Sequence, residues 1–221
     1  MEYLDQLEDA LRTRANDTIA MQQSAYMRHQ FAFFGIKSPV RKELSKPFLS
    51  RHQLPDKSGL DHLVRELWVK EEREFQMFGL DLVANYQKQF VQEDIQMLEF
   101  MILNKSWWDS VDLAATHFIS SYLKMFPELK EQKVNEWLES GNIWLQRTAL
   151  IFQLKWKDQL NTNLLAHCIH QLNGSSEFFI NKAIGWILRE YSRTNPQWVQ
   201  EFVEENPLNT LSKREALRLM K

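Results

Sequence analysis

The sequence predicts an all-α protein built from stacked helix pairs. Only six Gly and six Pro occur in 221 residues, too few to punctuate a chain of many short strands. Apolar side chains recur at three- and four-residue spacing rather than alternating, which is the period of a helix face buried against a neighbour. A longer period relates the second helices of successive pairs. Asp112, Arg147 and Lys182 lie 35 and 35 residues apart, and Ala114, Ala149 and Ile184 follow in the same register, with Gly79 one copy earlier. Small residues at such positions let layers of helices approach closely.

Taken in order, the chain predicts helices over residues 2–14, 17–30 and 38–50, a less regular stretch of 55 residues that caps one end of the stack. Helix pairs follow at 58–69 with 71–88, 91–103 with 106–124, 128–138 with 142–157, and 161–172 with 176–193. Asn104, Pro127, Gly141, Asn173-Gly174 and Asn195-Pro196 supply turn or stop chemistry between them. Residues 196–221 close the other end. The period is near that of tetratricopeptide repeats, but their signature residues are absent. The expectation is therefore one domain over residues 1–221, an α-solenoid of short HEAT-like repeats with the core copies at 56–195, whose equivalent positions point at one concave face.

An apolar content of 44% is ample for a continuous core. The single Cys168 excludes an internal disulfide framework and fits a reducing compartment. The opening MEYLDQLEDALRTR is charged throughout, and no stretch reaches the roughly 18 apolar residues of a membrane span. A soluble cytoplasmic protein is expected, with no membrane partner. The net charge of -2 is unevenly divided: residues 142–221 carry ten Lys+Arg against seven Asp+Glu, whereas residues 1–141 carry seventeen against twenty-two. The basic half can attract a polyanion, since local field rather than total charge sets that attraction.

Four side chains carry the chemistry. Trp108 and Asp112 are one turn apart on a helix for which Ser106 is the expected N-cap, and an aromatic plane beside a carboxylate is a receptor for a cation. Two adjacent tryptophans, Trp107 and Trp108, diverge by about 100° around a helix, so one stripe cannot bury both. Arg147 lies in the apolar run Ile143 to Phe152, where an enclosed guanidinium needs a bidentate anion. That anion is either Asp112 of the neighbouring repeat, as a structural ion pair, or a phosphate. Trp186 is flanked by Lys182 and Arg189, an interleaving that suits a nucleic-acid backbone and also occurs in ordinary amphipathic helices. His167 and His170 are three apart, but neither a second cysteine nor a HExxH arrangement accompanies them, so no metal site is expected. No Walker A loop, dinucleotide glycine motif or GxSxG elbow is present.

The segments Tyr26–Ile36, Arg65–Trp68 with Glu72–Gln76, Lys105–Asp112, Asn142–Arg147, Phe178–Tyr191 and Leu211–Ala216 together resemble the AlkD-type DNA alkylation repair glycosylases of bacteria. The resemblance implies a HEAT-like solenoid with a concave DNA-binding face that hydrolyses the N-glycosidic bond of N3- and N7-alkylated purines in duplex DNA. It implies that the family's catalytic tryptophan pair, aspartate and phosphate-binding arginine fall on Trp108, Trp186, Asp112 and Arg147. Lys37 departs from the pattern, standing where glutamine is expected at the groove rim. Further DNA contacts are expected at Tyr26, Lys155, Phe179, Lys182 and Arg189. With no committed catalytic lysine, a monofunctional enzyme that leaves an abasic site is expected, monomeric and with no cofactor and no obligate protein partner. The competing expectation is a non-catalytic HEAT-repeat module that binds DNA or protein.

Overall fold

The structure, a computed structural model, describes residues 2–220. It is all-helical: among those residues the only extended pairing is an isolated bridge between Ala32 and Glu72. No helix among them is long and apolar enough to cross a membrane. The chain divides into two compact units, Met1–Met97 and Leu98–Lys221.

In the first unit α1 (Glu2–Arg12) buries Leu4, Leu7 and Leu11, one stripe at three- and four-residue steps. Asn16 caps α2 (Asp17–Tyr26), its side chain accepting from Ile19 N at 3.0 Å. The expected helix over 17–30 stops short because Arg28 and His29 take left-handed backbone angles, φ 55 and 57. The expected helix over 38–50 is shorter too: α3 runs Ser38–Ser45. Residues 34–36 are held by Glu74, whose buried carboxylate accepts three backbone N–H bonds of 3.1 Å from Phe34, Gly35 and Ile36. Gly35 is obligatory there, at φ +82 with the carbonyl oxygen of Asn16 standing where a Cβ would go. Then α4 (Leu60–Val69) and α5 (Arg73–Ala84) form the first helix pair, meeting where Gly79 faces the Trp68 ring.

The boundary between the units falls inside α6 (Ile95–Leu103). In the second unit α7 (Trp108–Leu113) runs through a π-helical segment (Ala114–Ile119) into α8 (Ser120–Met125) without a break. Ser106 does not cap it. The helix begins after Trp107, whose extended backbone (φ -156, ψ 161) makes it the boundary residue, while Ser106 Oγ turns back to donate to Ile102 O at 2.6 Å. A short serine side chain thus satisfies the end of the preceding helix instead of the start of the next.

Next come α9 (Lys130–Glu139), α10 (Ile143–Ile151), α11 (Thr162–Leu172), α12 (Phe178–Tyr191), α13 (Pro196–Glu205) and α14 (Thr210–Ala216). Asparagine starts four of them: Asn142, Asn161, Asn195 and Asn209 each accept a backbone N–H of the first turn, an arrangement worth about 1 kcal/mol per cap. Layer is tied to layer by side-chain bonds that recur near the sequence period. Trp156 Nε1 donates to Ser120 Oγ over 36 residues, Lys124 Nζ to Gln159 Oε1 over 35, and Arg147 to Asp112 over 35. Repeated spacing in the chain therefore becomes repeated contact between neighbouring helices.

Candidate functional site

Within the second unit a recess of about 280 Å³ is lined by Trp108 and Asp112 from α7, Arg147 from α10, and Trp186 from α12. These are the four residues singled out in the sequence, and the fold brings all of them together. Phe178, Phe179, Lys182 and Arg189 complete the lining. The tryptophan doublet divides its labour as its geometry requires. Trp107 turns into the wall, with ring centroids 5.8 Å from Trp144 and 5.2 Å from Phe179, and Trp108 faces the recess.

Arg147 finds the carboxylate rather than an empty anion site. Its Nε donates to Asp112 Oδ1 at 2.6 Å and its Nη2 to Oδ2 at 2.8 Å, while Nη1 donates to Phe179 O at 2.6 Å. Those bonds use three of the five guanidinium N–H donors. The guanidinium carbon also lies 5.9 Å from the Trp186 ring centroid and 6.0 Å from that of Phe179, inside the range of cation-π attraction. One buried side chain, 3% exposed, thus touches the carboxylate and two of the aromatic walls.

Arg147 favours the ionised form of Asp112, but burial acts more strongly in the other direction. Burial pushes the Asp112 carboxyl above its ordinary value, and the hydrogen bonds and charge of Arg147 pull it back only in part; Asp109 adds a smaller upward push. Protonating Asp112 would strand a buried guanidinium, because an arginine cannot give up its proton.

Lys182 and Arg189 reach the recess, yet both are engaged: Lys182 Nζ lies 2.8 Å from Glu215 Oε1, and Arg189 Nη1 donates to Glu215 Oε2. Glu215 escaped the sequence reading. It comes from α14, outside the repeat register, and only the Leu211–Ala216 segment pointed to that helix. Lys155 does not line this recess. It is exposed, with Nζ 2.8 Å from His117 Nε2, and borders a separate recess that also holds Lys157 and Arg193. Burial and the Lys155 charge both lower the His117 pKa. Tyr26 and Lys37 are exposed residues of the first unit. His167 and His170 bond to Asn135 Oδ1 and Asn206 Oδ1 at 2.9 and 2.8 Å, and no group of three His, Cys, Asp or Glu among the described residues could hold a metal ion.

A family model described as DNA alkylation repair enzyme matches residues 7–220. The chain belongs to that family. Among solved structures it is similar to a predicted DNA alkylation repair enzyme from Enterococcus faecalis, with 36% identity, 93% of this chain and 96% of that one covered, and a TM-score of 0.87. AlkD2 from Streptococcus mutans shares the fold at 19% identity and a TM-score of 0.62, over 80% of this chain and 89% of that one. So does smu.31 from Streptococcus mutans UA159, at 18% identity and a TM-score of 0.62, over 82% and 96%. No curated protein matches the chain.

Proposed function

We propose that this family member is a monofunctional DNA glycosylase that hydrolyses the N-glycosidic bond of N3- and N7-alkylated purines in duplex DNA. The observation that carries the reading is the placement of the Asp112 carboxylate in one recess with two indole rings, fixed there by the bidentate Arg147.

Alkylation at N3 or N7 gives the purine a formal positive charge, so it departs as a neutral base without a general acid. The barrier is the charge that develops on deoxyribose as the C1′–N bond stretches. A fixed carboxylate is worth more against that charge than against the ground state, which is the condition for catalysis. Asp112 would face the sugar and take a proton from the water that attacks C1′. The bond electrons go to the purine nitrogen, the water oxygen becomes the C1′ hydroxyl, and an abasic site remains. Trp108 and Trp186 would hold the sugar and the cationic base through their ring faces, at about 0.5 to 2 kcal/mol each.

Arg147 would present its remaining N–H donors to the phosphate beside the lesion while keeping Asp112 in place. Phe179, Lys182 and Arg189 would add contacts at the same recess, with Lys155 and Tyr26 elsewhere on the DNA. Flipping a base into a deep pocket is the usual answer for chemistry on bases. In line with the family resemblance, the recess would instead contact sugar and phosphate while the lesion stays stacked.

A non-catalytic DNA- or protein-binding module is the second reading, favoured by the same ion pair, because a buried Arg147 satisfied by Asp112 can serve structure alone. Release of 7-methylguanine and 3-methyladenine from methylated duplex DNA separates the two. The enzyme requires release by the wild type that Asp112→Asn abolishes; a module gives none from either protein.

A further inference from the structure

Trp186 sits on α12 between two cations of one helix face, Lys182 four residues before it and Arg189 three after. A single acid holds both. Glu215 stands on α14, which docks on α12 with almost nothing between the backbones: a Cβ on Gly185 would come 2.9 Å from Ser212 O and 2.5 Å from Glu215 Cβ. Ser212 Oγ donates to Asn181 O at 2.9 Å and fastens the same contact. The Glu215 side chain is 9% exposed and pairs with both cations. Hydrogen bonding from Lys182, then the charges of Lys182 and Arg189, keep its acidity on the strong side of the usual carboxylate range.

The charge inventory gives this acid a consequence. Arg147, Lys182 and Arg189 against Asp112 would leave the recess with a surplus of two positive charges, and Glu215 reduces that surplus to one. Binding of a duplex grows with the number of phosphates neutralised, whatever the base sequence. A more positive recess would therefore grip undamaged DNA and repel a cationic base at the same time.

We infer that Glu215 is a positioning and specificity-determining residue: it holds Lys182 and Arg189 on either side of Trp186 and cancels one of their charges, so that the rim engages undamaged duplex weakly and admits a positively charged purine. The inference rests on the DNA-binding part of the proposed function and is independent of bond hydrolysis.

Binding of a fluorescent undamaged duplex to the full chain, titrated at several salt concentrations, tests it. Glu215→Gln is expected to bind more tightly than wild type at low salt and to steepen the slope of log K against log salt by about 0.9. Glu215→Asp keeps the charge and is expected to keep the wild-type slope, as is Ser212→Ala, which loosens the docking of α14 without changing charge. Lys182→Gln is expected to flatten the slope by about 0.9, and the double variant Lys182→Gln with Glu215→Gln to restore it. An unchanged slope in Glu215→Gln, an equal steepening in Ser212→Ala, or a double variant that keeps the slope of Lys182→Gln overturns the inference while leaving the glycosylase reading intact. Failure of the wild type to bind any duplex overturns both.

Discussion

Asp112 and Arg147 lie 35 residues apart in the chain and meet through two parallel hydrogen bonds of 2.6 and 2.8 Å. Removing either partner has a different cost. Asp112→Asn keeps the volume and one acceptor but leaves the buried guanidinium without its counter-charge, so it should cost some stability as well, while single-turnover base release by the folded protein falls by at least about a hundredfold. Arg147→Ala strips the buried partner from the carboxylate and should lower stability by about 3–5 kcal/mol in a urea titration.

The same pair should set the pH dependence. In the proposed mechanism turnover needs the Asp112 anion, so activity should be lost as pH falls through its pKa. Burial raises that pKa above the ordinary 3.8, and the acid limb of kcat/KM should accordingly lie at higher pH than for an exposed aspartate. Arg147→Gln removes both influences that lower the pKa and should move the limb higher still. A limb that stays put, or moves down, would show that Asp112 is not the titrating group.

That this pair could be anticipated, and Glu215 could not, follows from how each is built. Stacked repeats place i near i+35, so an aspartate and an arginine in equivalent positions of adjacent copies come within reach of each other, and Asp112 was one of the two anions open to Arg147. Lys182 shares the register, but its partner arrives 33 residues later from a terminal helix that repeats nothing. Local boundaries were less legible. Nothing in Ser106-Trp107-Trp108 distinguishes a serine that caps the next helix from one that bonds back to Ile102. The run after Ile151 reads as helix from its apolar spacing, yet α10 stops there: Leu154 N and Trp156 N donate to Ile151 O and Gln153 O in tighter turns, and Lys157 takes φ 53.

The aromatic walls should contribute in proportion to the charge they face. Trp108→Ala and Trp186→Ala are each expected to lower kcat/KM on methylated DNA by about 2- to 30-fold, the rate equivalent of about 0.5–2 kcal/mol. A neutral lesion gives the indoles no cation and leaves a poor leaving group. Uracil in duplex DNA should thus be released at a rate indistinguishable from background, and efficient excision would refute the charge-based mechanism.

Gly185 and Gly141 offer a matched pair of substitutions that separates helix docking from backbone strain. At Gly185 a methyl group would collide with Ser212 backbone and Glu215 Cβ, so Gly185→Ala must push α14 away from α12. That overpacking should cost about 1–3 kcal/mol and should also lower kcat/KM, because Glu215 moves with α14 and releases Lys182 and Arg189. A methyl group on Gly141 would meet nothing within 4 Å, but the residue sits at φ +67. Its alanine variant should lose about 1–2 kcal/mol from left-handed strain alone, with activity unchanged on the folded fraction, because the residue lies in the turn before α10 and lines no part of the recess. Urea denaturation and base release on both variants decide it: equal losses of activity at equal losses of stability would mean that the contact between α12 and α14 has no bearing on the site.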